Sequence, residues 1–77
     1  MLVVRPDPVR GTVRVRGHLE RLGAELLVAQ LGLLLRGGHR ELTVQLAPTA
    51  SADPEVLAEL SELAACWGAD GVRLVVE

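Results

Sequence analysis

Three short runs of the chain, Thr12 to Arg16, Glu41 to Ala47 and Val72 to Val76, alternate apolar and polar side chains, and segments of helical length separate them. Alternation with period two marks a strand that buries one face and exposes the other. In the first run Val13 and Val15 point one way while Thr12, Arg14 and Arg16 point the other. In the second, Leu42, Val44 and Leu46 oppose Thr43 and Gln45. In the third, Val72, Leu74 and Val76 oppose Arg73 and Val75. Leu2 to Arg5 reads as a further short strand, ended by the turn chemistry of Pro6, Asp7, Pro8 and Gly11.

The segments between the runs follow helical rules. From about Leu22 to Arg36 the pattern is that of a long helix, and Gly37 with Gly38 predicts a left-handed stop. Pro48 to Ala52 is loop. Asp53 then suits an N-cap, Pro54 a first helical residue and Glu55 an acid at a helix N-terminus, with the helix running to Trp67 and Gly68 to Gly71 turning the chain. The order is β-β-α-β-α-β. Two strand-helix-strand units imply parallel pairs, and one-sided alternation implies one covered sheet face. The expected fold is therefore α/β: a two-layer sandwich with a mixed four-stranded sheet and helices mainly on one face, as a single domain over 1–77. Arg14, Arg16, Thr43, Gln45 and Arg73 fall on the open face, read as a solvated surface with binding of an anion or acidic partner as the alternative.

The two helices differ in how cleanly they divide. The second sets Val56, Leu57, Leu60, Leu63, Ala64 and Trp67 against Glu55, Glu59 and Glu62, the ordinary amphipathic pattern. In the first, Arg21, Glu25, Gly32 and Arg36 form a narrow polar stripe, and leucines spread over the rest of the circumference. A helix so apolar is normally buried on more than one side, whereas one sheet offers a single contact. Self-association as a homo-dimer, through Leu27, Leu31 and Leu34, is the expectation. A core with one Trp, no Tyr and no Phe points the same way, because Leu, Val and Ala alone make a thin core in 77 residues.

Several function classes are disfavoured. A net charge of −2 and the lack of aromatic platforms argue against nucleic acid. Leu26 to Leu35, interrupted by Gln30 and Gly32, is too short to span a bilayer, and Met1 to Pro6 is too short an apolar stretch for a signal peptide, so no membrane and a cytoplasmic location are expected. The lone Cys66 excludes an intramolecular disulfide and reads as a small core residue beside Trp67. His18 and His39 lie beside turns without metal-ligand spacing and read as surface or capping residues, so no metal or other cofactor is expected. There is no glycine-rich phosphate loop and no nucleophile with a recognisable base, which disfavours an enzyme or small-molecule carrier.

Two segments carry a resemblance to a known family. Gly17-His18-Leu19-Glu20 after the second strand matches a Gly-x-Leu-acid turn, and the third strand leads through a short loop towards Asp53 and Leu57. In these features and in element order, over almost its whole length, the chain resembles the STAS domain of sulfate transporters and anti-sigma factor antagonists. The family's motif there is Asp-Ser-Ser-Gly-Leu. Asp53 and Leu57 keep its ends, while Pro54, Glu55 and Val56 replace its centre. The resemblance implies a non-enzymatic domain that docks a protein partner, an anti-sigma factor or kinase-like regulator, through Asp53, Glu55, Glu59 and Glu62.

The departures shape that expectation. In the family's bacterial antagonists the second serine of the motif is phosphorylated by the partner kinase. Here that position is Glu55, a single fixed charge that a kinase cannot switch. Ser51, Thr49 and Ser61 are the remaining hydroxyls near the motif that could serve as surrogate sites. Gln45 stands where the family usually has an acid. Family members generally continue with a helix, strand and helix beyond the strand matched by Val72 to Val76, whereas this chain ends at Glu77. The expectation is a minimal version, or one whose partner or second copy covers that surface. The alternative function is an assembly module forming a homo-oligomer or part of a larger complex.

Overall fold

β1 (Val3–Asp7) and β2 (Thr12–Arg16) form an antiparallel hairpin in the computed structural model of the chain. The structure describes residues 2–77, so Met1 of the expected 1–77 domain lies outside them. β3 (His18–Leu19) and α1 (Arg21–Arg36) follow, then β4 (Glu41–Leu46), β5 (Ser51–Ala52), α2 (Pro54–Ala69) and β6 (Arg73–Val76). The main sheet has the order β1-β2-β4-β6, with β2, β4 and β6 mutually parallel. The fold is thus α/β with a mixed four-stranded sheet and two helices. Both crossovers step in the same direction, from β2 to β4 and from β4 to β6. Crossovers of one hand then place both helices on the same face.

The registers confirm which side chains share that face. Val15 pairs Leu46 and Val13 pairs Val44 on one side, and Leu42 pairs Leu74 further along. These residues meet Leu27, Leu31 and Leu34 of α1 and Val56 and Leu60 of α2 in one core. Side chains removed from water to this degree each contribute roughly 1.5–3 kcal/mol. On the other face Arg5 lies beside Arg14, Thr12 beside Thr43 and Arg14 beside Gln45, uncovered by either helix.

Element ends depart from the sequence expectation in places. β1 runs on through Pro6 to Asp7, which an edge strand tolerates because a missing donor there can face away from its one neighbour. The turn begins only afterwards: Asp7 Oδ1 accepts from the backbone N–H of Val9 at 3.1 Å and of Arg10 at 3.3 Å. Gly11, with φ +68°, closes it. A Cβ there would lie 2.8 Å from the carbonyl oxygen of Glu41, so glycine permits the close start of β2 against β4. At the end of α1 it is Gly38, φ +101°, that takes the left-handed conformation, while Gly37 remains helical. α2 extends two residues past Trp67, to Ala69.

Three side-chain expectations are corrected. Leu27 and Leu31 are fully buried and Leu34 is 5% exposed, so the leucines expected at a self-association face are interior. They lie where α1 rests on the sheet. The exposed apolar residues of α1 are instead Leu22, Leu26, Val28 and Leu33. Cys66 is exposed and not a core residue, because the sheet-facing stripe of α2 runs through Val56, Leu60 and Trp67 and leaves Cys66 about a quarter-turn away from it. Leu57, expected on the apolar face, is 41% exposed for the same reason.

Candidate functional site

β3 and β5 are two-residue strands that the alternation pattern does not announce, and they build the site. They pair in parallel, His18 beside Ser51 and Leu19 beside Ala52. The Ser51 N–H donates to the Gly17 carbonyl at 3.0 Å, and the Asp53 N–H to the Leu19 carbonyl at 3.0 Å. Leu19 is fully buried and anchors the strip from below. The turn after β2 is thereby held against the loop entering α2, two segments more than thirty residues apart in sequence.

Side chains reinforce the pairing. His18 Nδ1 lies 2.7 Å from Ser51 Oγ, and His18 Nε2 lies 2.9 Å from Asp53 Oδ1. An ionised carboxylate only accepts. Nε2 of the neutral ring must therefore carry the proton, which leaves Nδ1 to accept from the Ser51 hydroxyl. Hydroxyl, imidazole and carboxylate form one row, but Nδ1 faces the hydroxyl and Nε2 the carboxylate, the reverse of the assignment in a Ser-His-Asp triad, so the row reads as a bridge between two segments. The His18 and Asp53 side chains are each about half exposed, at 51% and 48%, so the row lies open to solvent.

This row changes the role expected for Asp53. It occupies the N-cap position of α2 with extended backbone, as the sequence implies, but its side chain makes no capping hydrogen bond. Its backbone carbonyl starts the helix by accepting from Val56 at 2.9 Å and Leu57 at 3.2 Å. Of the residues expected to bind a partner, Asp53 is at the strip, Glu55 opens α2, and Glu59 and Glu62 continue from Glu55 at helical spacing on the exposed side. All four lie along one edge. Glu59 also approaches Arg21 of α1 at 3.7 Å, an exposed contact of little energetic weight.

His18 is the site residue that residue-by-residue reading misses. The Gly17 to Glu20 turn and the Asp53 loop are adjacent only through the pairing of β3 with β5, which no local pattern announces. The His39 side chain reaches the β1–β2 turn at the opposite end of the sheet, where its Nε2 meets the Pro8 carbonyl, while its backbone N–H donates to the Leu34 carbonyl at the end of α1 at 3.3 Å. Among the described residues no group of three His, Cys, Asp or Glu side chains could hold a metal ion. No helix of the described residues is long and apolar enough to cross a membrane.

A second feature lies on the uncovered sheet face. Val3, Arg5, Arg14, Arg16 and Gln45 line part of a concavity of about 600 Å³ that ends at Pro48 and Glu77. Arg14 Nε donates to Gln45 Oε1 at 3.2 Å. No protein-family model, curated protein or solved structure matches this chain.

Proposed function

We propose that the chain is a non-enzymatic protein-interaction domain, resembling an anti-sigma factor antagonist, that docks a regulatory partner in the cytoplasm through the edge formed by Ser51, Asp53, Glu55, Glu59 and Glu62. The observation that carries this reading is the His18 bridge to Ser51 and Asp53. It ties an exposed loop to the turn after β2, beside an exposed acidic helix face. Pre-ordering a docking loop lowers the entropy lost on binding. The acidic row complements a basic partner surface, and charge of one sign steers encounter. With Glu55 in place of a phosphorylatable serine, binding is constitutive towards a kinase acting at that position.

The test compares the wild-type chain with the triple variant Glu55→Arg, Glu59→Arg, Glu62→Arg as bait in lysate of the expressing cells. A partner identified by mass spectrometry should be enriched on the wild type, bind it as a purified protein, and be lost from the variant while helix content is unchanged. Equal enrichment on both baits overturns the reading.

A second reading, self-association through α1, has its own support. Leu22, Leu26, Ala29 and Leu33 are all exposed and spaced four, three and four residues apart, the seam spacing of helices that pack side by side. The surface of the chain is 5138 Å². A monomeric protein of its mass, 8.2 kDa, exposes about 4,500 Å². The chain thus has more surface than that relation gives, and these four side chains are part of what a partner could cover. Sedimentation equilibrium decides this reading, and a monomer at high concentration ends it.

A further inference from the structure

Three arginines gather on the open face where β1 meets β2. Arg5 and Arg14 are direct cross-strand neighbours, and Arg16 follows on the same face of β2. Like charges placed opposite one another weaken a sheet. No ion pair of the described residues involves them, since the acid-base contacts found there are those of Arg21 with Glu59 and of His18 with Asp53. The hydrogen-bond partner of Arg14 is the neutral amide of Gln45, which orients the guanidinium and leaves its charge unspent. Glu77 supplies the one carboxylate side chain of the lining. The patch is positive on a chain whose net charge is −2.

Charge is only half of the feature. The concavity of about 600 Å³ falls within the ~300–1,000 Å³ of small-molecule sites. Its remaining lining includes Val3, Ala47 and Pro48, an apolar surface beside the cationic one. We propose that this concavity binds a small molecule carrying a phosphate or diphosphate group on an apolar or aromatic body, of which a nucleoside diphosphate is the type. Arg5, Arg14 and Arg16 hold the anion, since the planar guanidinium fork matches phosphate oxygens two at a time. The body covers Val3, Ala47 and Pro48. An acidic protein segment would use the charge but leave the apolar lining wet. The site goes beyond the docking edge proposed above, lying on the opposite face of the sheet from α2.

Heteronuclear NMR on the intact chain tests this with ADP and with pyrophosphate as probes. Both should shift backbone amides of β1, β2 and Ala47, with ADP binding more tightly because of its apolar contact. Arg5→Gln, Arg14→Gln and Arg16→Gln should each weaken ADP by about tenfold or more, the loss expected for a hydrogen bond to a charged group. Arg73→Gln, outside the concavity, should leave it unchanged. The wild-type shift map does not depend on how any variant folds. Absence of shifts at millimolar ADP, shifts confined to other surfaces, or undiminished binding by Arg14→Gln overturns the proposal. Tighter binding of a polyglutamate peptide than of ADP also overturns it, and assigns the face to an acidic protein partner.

Discussion

The Nε2 atom of His18 lies 2.9 Å from Oδ1 of Asp53, so the residue at the N-cap of α2 gives its carboxylate to a turn more than thirty positions away and not to its own helix. An aspartate in this position usually satisfies one of the orphan N–H groups of the first turn. Here the first turn relies on the backbone carbonyl of Asp53 and on the favourable charge of Glu55. The side chain instead joins two surface segments.

That relationship is measurable. A double-mutant cycle of His18→Ala and Asp53→Ala should give a coupling energy below about 1 kcal/mol, because both partners are half exposed. Amide exchange should be more sensitive than global stability. The Ser51 and Asp53 amides, which donate to Gly17 and Leu19, should exchange faster in His18→Ala while core amides of β2 and β4 keep their rates. Unchanged exchange at both amides means that the side-chain row does not hold the strip.

The partition of leucines around α1 predicts opposite outcomes for neighbours. Leu27→Ala should cost about 2–5 kcal/mol in urea unfolding, since it opens a cavity under a fully buried side chain. Leu26→Ala should change monomer stability by no more than ~0.5 kcal/mol. Comparable costs at the two positions contradict the orientation of the helix.

The exposed stripe yields a separate expectation for assembly. If Leu22, Leu26 and Leu33 pack against a second copy, Leu26→Glu with Leu33→Glu should convert a dimer to a monomer in sedimentation while helix content is retained. A dimer that survives both charges uses another surface.

Two glycines should respond with opposite sign. Gly11→Ala forces a side chain into φ +68° with its Cβ 2.8 Å from the Glu41 carbonyl, and should destabilise by about 1–3 kcal/mol. Gly32 lies inside α1, and a Cβ at that position would meet nothing within 4 Å. Gly32→Ala should therefore stabilise by roughly 0.5–1 kcal/mol, read as a raised thermal midpoint.

Cys66 should react with a thiol reagent at full stoichiometry without denaturant, because it is exposed. Slow reaction that needs denaturant would restore the core placement expected from its neighbour Trp67.

The order of the four main-sheet strands and two helices, and the buried face of the sheet, were legible in the chain because both follow from local periodicity. Val13, Val15, Leu42 and Val44 alternate with polar residues, and a strand cannot bury both sets while one face is open. The two crossovers further required parallel neighbours, so the mixed sheet followed from order alone. Asp53, Pro54 and Glu55 marked the start of α2 correctly, because backbone capping position is a local property. The purpose of the Asp53 side chain was not local, since its partner His18 arrives through the pairing of β3 with β5.

The same division holds for α1. Its sequence shows that the helix is apolar over most of its circumference, and thus that burial of one face leaves apolar residues on another. Which leucines become interior depends on the rotation at which the helix settles on the sheet, and only packing against β1, β2 and β4 decides that. Leu27, Leu31 and Leu34 face inwards and Leu22, Leu26 and Leu33 outwards. Local pattern determined the elements and their sidedness through dihedral period; tertiary structure decided the His18 row, the arginine concavity and the rotation of α1, because each depends on residues that meet only when distant strands pair.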